Sequence, residues 1–365
     1  MLMAYFDTLA RNHQPYKGGA WCYEDGLIYR GLESLHRATG ETRWLDHLVR
    51  LIEPQLLEGP DLAEYKPSDY NIDNINAGRA LMYLHDVTSD EKWLRYAELL
   101  MDQLATQPRT TTGVYWHKLR YPWQVWLDGI YMCPPFQISY GLRTNNDALV
   151  ADSLIQMKKA LEHTYVPETG LYAHAFDEAR KQPWADKNTG HPKAHWARAL
   201  GWLAMALVDV AELVGPERFA PLKSQTEDLL TKIANLRRPS GLWLQVIDQP
   251  DFPENWEETS ASVMFVYALN KAKKLGLGGA FTKDMATKVL MNSLRPKPNG
   301  GLEMVQICHV AGLGMYQGRF RDGSAAYYIS ETCAIDDPKG VGPLMTLAAL
   351  SLDAVEEFDA FHRVT

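Results

Sequence analysis

Thr39-Gly40-Glu41-Thr42-Arg43-Trp44, Thr88-Ser89-Asp90-Glu91-Lys92-Trp93 and Val214-Gly215-Pro216-Glu217-Arg218-Phe219 repeat one pattern at widely separated places in the chain. Each supplies a residue that stops a helix, then an acidic residue suited to the first turn of the next helix, then an aromatic ring. Each is therefore the turn of a helical hairpin. Outward from these turns, apolar residues recur with a period near 3.6 through nearly the whole chain, and alternating runs are few and short.

The pattern predicts first-member helices beginning near Trp21, Asp73, Trp126, Trp196, Trp256 and Val341, rich in Gly, Ala and aromatic residues. Their partners begin near Thr42, Asp90, Asn145, Arg218 and Phe281 and are more charged and amphipathic, with the N-terminal helix supplying the sixth partner. Helices with small residues all round suit an inner ring, and amphipathic ones suit an outer ring facing water. The expected fold is all-α, an (α/α)6 barrel of six helical hairpins. Length alone, 365 residues, would also allow two ordinary domains, but six hairpins around one core make a single domain over 1–365 the expectation.

Composition narrows the partners. With 46% hydrophobic and 22% charged residues, and no run of ~18 uncharged apolar residues, no membrane span is expected. The opening Met1–Arg11 segment carries charge and no small-residue cleavage site, so it reads as an amphipathic helix and not a leader. The four cysteines are scattered with no CxxC pair, which argues against a disulfide framework or zinc site and for a reducing, cytoplasmic setting. A net charge of −8 and the lack of a basic run argue against nucleic acid. The 11 tryptophans suit either sugar-stacking platforms or a Trp-rich core.

A second repeat enters the inner helices: Gly113-Val114-Tyr115-Trp116-His117, Gly170-Leu171-Tyr172-Ala173-His174 and Gly241-Leu242-Trp243-Leu244-Gln245. These predict short strands at one mouth of the barrel, presenting His117, His174 and Gln245 at a matching position. Connections on a rigid scaffold are where binding groups gather, so the site is expected at that mouth.

Asp128 lies at the start of an inner helix, flanked by Trp126 and Tyr131, and Asp73 lies at the equivalent start of the preceding one. Either could be only an N-cap. Together, two carboxylates on neighbouring inner helices would converge on the barrel axis, where desolvation and like charge push a carboxyl pKa up toward that of a general acid. Arg198 and Trp202 share one face of the fourth inner helix. An Arg pointing into the barrel needs either an internal partner or an anionic substrate, whose carboxylate fits its fork. The glycines of Asp336-Asp337-Pro338-Lys339-Gly340-Val341-Gly342-Pro343 could shape the mouth or only make a turn. No phosphate loop, HExxH or GxSxG pattern occurs.

Trp126-Leu127-Asp128-Gly129-Ile130-Tyr131-Met132, with Asn71-Ile72-Asp73 before it and Trp196-Ala197-Arg198-Ala199-Leu200-Gly201-Trp202 after it, resembles the unsaturated rhamnogalacturonyl hydrolases of glycoside hydrolase family 105. The likeness extends to Tyr23-Glu24-Asp25-Gly26, Glu258-Thr259-Ser260-Ala261 and Lys339-Gly340-Val341-Gly342-Pro343. It implies that Asp128 is the general acid and base and Asp73 its essential neighbour. It also implies that Tyr23, His117, Trp126, His174, Trp196, Arg198 and Trp202 line the sugar site. The implied substrate is a small oligosaccharide ending in an unsaturated uronic acid, left on a rhamnogalacturonan or pectin fragment by a lyase and released by hydration of its C4=C5 bond. No metal or organic cofactor is implied, and the chain is expected to act as a monomer or weak homo-oligomer. Three alternatives remain at this point: an unsaturated glucuronyl hydrolase, a histidine-based sugar epimerase on the same barrel, and a non-enzymatic sugar-binding scaffold.

Overall fold

The three hairpin turns form where their sequences predict them. The computed structural model describes residues 1–59, 61–298 and 300–364. Its helices are α1 (Leu2–Asn12), α2 (Tyr23–Thr39), α3 (Thr42–Ile52), α4 (Gly78–Thr88), α5 (Lys92–Thr106), α6 (Leu127–Met132), α7 (Pro134–Arg143), α8 (Asp147–Thr164), α9 (Ala197–Asn235), α10 (Thr259–Lys274), α11 (Lys283–Ser293), α12 (Ala325–Ile329), α13 (Pro338–Leu350) and α14 (Leu352–Val364). Gly40 closes α2 in the left-handed conformation (φ 68°), Ser89 does the same for α4, and Gly215 (φ 77°) breaks α9 just before Pro216.

The inner ring closes. α2 packs on α4, α4 on α7, α6 and α7 on α9, α9 on α10, α10 on α13, and α13 returns to α2. The last contact is the tightest for a stated reason: a Cβ on Gly342 would lie 2.5 Å from the Leu27 carbonyl oxygen. Gly342 therefore lets two inner helices touch backbone to backbone, while Gly340 makes room for the Ile307 and Met304 side chains. α9 is long and apolar enough to cross a membrane, with a mean hydropathy of 1.5 over its best window, yet 72% of that window is buried inside the fold. Its apolar surface is spent on neighbouring helices.

Two details differ from the sequence expectation. The sixth outer partner is α14, which packs on α11 and α13 through buried Ala354, Val355 and Phe358, while α1 fits between α14 and α3. The third inner helix is split, because Pro134 and Pro135 lack the N–H groups needed to continue α6. The result is a short helix that carries Asp128 alone at the mouth. The tryptophans are mostly core: Trp21, Trp44, Trp93, Trp184, Trp196, Trp202 and Trp243 are all fully buried.

The mouth connections are stitched by two- and three-residue antiparallel pairs. Leu171–Tyr172 pairs with Tyr165–Val166, Trp243–Leu244 with Glu257–Glu258, and Gln124–Trp126 with Ala175–Asp177. The first of the three Gly-aromatic strings forms only an isolated bridge, Tyr115 to Arg109. The Gln124–Trp126 pairing matters most for the site, because it fixes the residue before α6 against the strand that follows His174.

Candidate active site

Asp128 and Asp73 open onto one cleft of about 210 Å³, walled also by Tyr23, His117, Lys118, Trp126, His309, Tyr316 and Arg321. A shallower space outside it shares Lys17, Tyr23, Asp73, Lys118, Arg120 and Tyr316, so the cleft widens outward. Neither aspartate is a helix cap. Asp128 lies in the first turn of α6, whose N-cap residue is Trp126. The 3-10 turn Ile72–Ile75 that carries Asp73 is capped by Asn71, whose side chain accepts from the Asp73 N–H at 3.2 Å. The backbone has no use for either carboxylate.

Their environments differ. Asp128 Oδ2 lies 3.2 Å from His174 Nε2, outside hydrogen-bond alignment, and makes no hydrogen bond among the described residues. His174 is held from behind by the Tyr328 hydroxyl, 2.8 Å from Nδ1. Burial pushes the Tyr328 phenol well above its usual range, so it stays neutral and can donate to Nδ1. That leaves the Nε2 proton facing Asp128. Asp73 Oδ2, by contrast, is engaged by Lys118 Nζ at 2.5 Å, and Oδ1 lies 3.6 Å from His117 Nε2. Burial works to raise the Asp73 carboxyl, but Lys118, His117 and Lys17 outweigh it and hold it below the ordinary carboxylate range. The expected like-charge elevation does not reach Asp73, because a lysine sits on it.

His117 is buried, and burial pushes its imidazole down to about 4 against the pull of Asp73. It is neutral at ordinary pH. Its ring stacks on Trp126 at 4.9 Å, and Tyr121 stacks on Trp126 at the same spacing. The three near-parallel rings stack on one another beside the two carboxyl groups, with His117 and Trp126 buried and Tyr121 alone partly open to the cleft.

Of the residues singled out from sequence, Tyr23, Asp73, His117, Trp126 and Asp128 reach the cleft. Four do not. His174 stands behind Asp128, and Trp196 behind His174, bonded to Gln245 at 3.2 Å and stacked on Tyr328. Arg198 offers no fork to a substrate: it donates to Ser260 Oγ and to the carbonyls of Cys308 and His309. Glu258 completes that knot, accepting from Ser260, Ala261 and the Cys308 N–H. Arg198 therefore fixes the His309 loop to the barrel instead of clamping a carboxylate. Trp202 is core, stacked on Tyr131 at 4.9 Å.

Two arginines that face the cleft were not singled out. Arg120 lies over the Tyr121 ring, and Arg321 over the Tyr316 ring at 4.6 Å with a 3.4 Å bond to Tyr121 Oη. Neither forms an ion pair among the described residues. Lys118 and Arg120 sit inside the aromatic segment that flagged Asp128, so their neighbourhood was visible. Arg321 comes from the hairpin Gly314–Tyr316 with Arg319–Arg321, which no periodicity marks. No group of three or more His, Cys, Asp or Glu able to hold a metal occurs among the described residues.

Residues 5–353 match the family described as Glycosyl Hydrolase Family 88. Among solved structures, a C. acetobutylicum glycoside hydrolase from family 105 superposes with a TM-score of 0.89 at 31% identity, covering 96% of this chain and 99% of that one. Protein Atu3128 of Agrobacterium fabrum is 42% identical over 227 residues, 60% of this chain and 97% of that protein. The unsaturated rhamnogalacturonyl hydrolase YesR of Bacillus subtilis is 27% identical over 266 residues, 70% of this chain and 72% of that protein.

Proposed function

The chain belongs to Glycosyl Hydrolase Family 88 and is a glycoside hydrolase. From that premise we propose that it removes the unsaturated uronic acid from the non-reducing end of lyase-generated rhamnogalacturonan oligosaccharides, by hydrating the C4=C5 double bond. The observation that carries the reading is the inequality of the two carboxyl groups. A conventional glycosidase needs a protonated acid and a second carboxylate free to attack or to activate water. Here Asp73 is tied to Lys118, and Asp128 alone is unengaged. One free carboxyl group suits a reaction in which a single residue gives a proton and takes one back.

In that sequence Asp128, protonated, delivers its proton to C4. Positive charge develops at C5 and the ring oxygen, favoured by the fixed negative charge of Asp73 across the cleft. Asp128, now a carboxylate, accepts a proton from the water that adds to C5. The hemiketal so formed opens and releases the next sugar. His174, held by Tyr328, stands 3.2 Å behind the Asp128 carboxyl. The substrate carboxylate falls to Arg120 and Arg321, the cationic side of the cleft without an anionic partner. The B. subtilis relative supports rhamnose as the following sugar.

An epimerase would need two bases flanking its substrate. His174 does not line the cleft, and burial lowers the basicity of His117, which weighs against that reading. The test is turnover on a matched pair of lyase products, one with unsaturated galacturonic acid on rhamnose and one with unsaturated glucuronic acid, followed by loss of ultraviolet absorbance. Preference for the first supports the proposal. Preference for the second moves the enzyme to the glucuronyl group, and turnover of neither removes the mechanism.

A further inference from the structure

The inner helices run from the catalytic mouth to the mouth where the hairpin turns lie, and that second mouth holds a polar cavity of about 470 Å³. Along α2 the cavity's lining runs from Arg30 to Arg37, about 9 to 20 Å beyond Glu24 at the cleft, and the two spaces share no lining residue. The cavity is lined by Arg30, Arg37, Arg79, Arg143 and Lys271, drawn from four inner helices, with Glu33, Asp209 and Glu212 between them. The carboxylates are shared. Glu33 pairs with both Arg30 and Arg37, and Asp209 with both Arg79, at 2.8 Å, and Lys271, at 2.7 Å. Arg143 pairs with Asp86 outside the cavity.

Five cations therefore meet three carboxylates on the lining, or four with Asp86, and positive charge remains in excess. Helix C-termini explain part of this, because their carbonyl ends attract cations. They do not explain the buried donors: Arg79 Nη1 and Arg30 Nε are shielded from water and have no acceptor among the described residues. A buried arginine donor left unmade costs free energy that a bound acceptor would recover. We propose that this mouth is a second binding site, which takes a small oxyanion through Arg79 with Arg37 and Arg143 at its rim. The oxyanion is either inorganic or the carboxylate of a free uronic acid. Arginine is the side chain that best fits both, since its planar donors match two oxygens at once.

The test is calorimetric titration of the full chain with inorganic phosphate and, separately, with sodium glucuronate. Arg79→Gln should abolish binding but also removes one partner of the buried Asp209, which keeps Lys271 and Tyr267, so the rim variants decide. Arg37→Gln and Arg143→Gln should each weaken binding about tenfold, with kcat/KM unchanged, and added salt should weaken it further. Arg120→Gln, at the catalytic mouth, should leave it unaltered. Phosphate alone binding identifies an inorganic ligand, and glucuronate binding that survives Arg120→Gln identifies a sugar acid. No heat with either anion, or binding lost in Arg120→Gln and kept in both rim variants, overturns the proposal.

Discussion

Replacing Lys118 by Met removes the charge that sits on Asp73 while keeping most of the apolar stem. The pair is 2.5 Å apart with side chains only 14% and 10% exposed, so water from the cleft replaces the ammonium only in part. Coulomb attraction at that distance is about 7 kcal/mol at an effective dielectric of ~20, before desolvation offsets it. Breaking one partner of a buried pair costs ~3–5 kcal/mol. Asp73 can limit the loss by taking up a proton, which for a carboxyl of ordinary pKa costs ~4 kcal/mol at neutral pH. We expect a loss of about 3–4 kcal/mol of unfolding free energy near pH 7. The sign with pH follows from the shift. In the parent the folded value of Asp73 lies below its unfolded value, so its contribution is present above the unfolded value and is lost as pH falls through the folded one. In the variant burial raises the folded value, so the penalty grows with pH instead. Urea denaturation of both proteins from about pH 7 to about pH 4 should show the gap narrowing toward the small packing loss of the lysine stem. A gap of the same size at every pH would mean that Lys118 only packs, and the ion-pair argument would fail.

Asp128→Asn should lower kcat by ~10² to 10⁴-fold with an unchanged melting temperature, because the amide fits but cannot carry the proton; a loss below tenfold would count against the role. Trp202→Ala should cost ~3–5 kcal/mol of stability and leave KM alone, since the ring packs on Tyr131 inside the barrel; a raised KM with stability intact would return it to the sugar site. Arg120→Gln should raise KM about tenfold for a free uronate and little for its methyl ester, a split that vanishes if Arg120 holds no carboxylate.

The ring of hairpins was legible because three of its turns carry a stop, an acid and an aromatic, and because inner and outer helices differ in composition. The last outer helix escaped, although Leu352-Asp353-Ala354-Val355-Glu356-Glu357-Phe358 is amphipathic, since the N-terminal helix already filled the count. Asp73 and Asp128 were found by position at inner-helix starts, and the cleft they share follows from that symmetry. What position could not give was direction. Arg198 and Trp202 lie on one helical face, but the face is spoken for by the Cys308 and His309 carbonyls and by Tyr131. Arg321 reaches the cleft from a hairpin far along the chain, and Lys118 reaches Asp73 across a connection, so both depend on tertiary folding that no local pattern encodes.

The central claim, that one carboxyl group protonates C4 and water adds at C5, is tested most directly by where solvent atoms arrive in a single turnover. In deuterated heavy-oxygen water, with the product reduced at once to stop exchange, deuterium should appear at C4 in one configuration and heavy oxygen at C5, and a saturated uronide of the same linkage should resist cleavage. Heavy oxygen only at the anomeric carbon, no deuterium at C4, or saturated and unsaturated substrates cleaved at similar rates would contradict it, and Asp73 and Asp128 would then be a conventional pair.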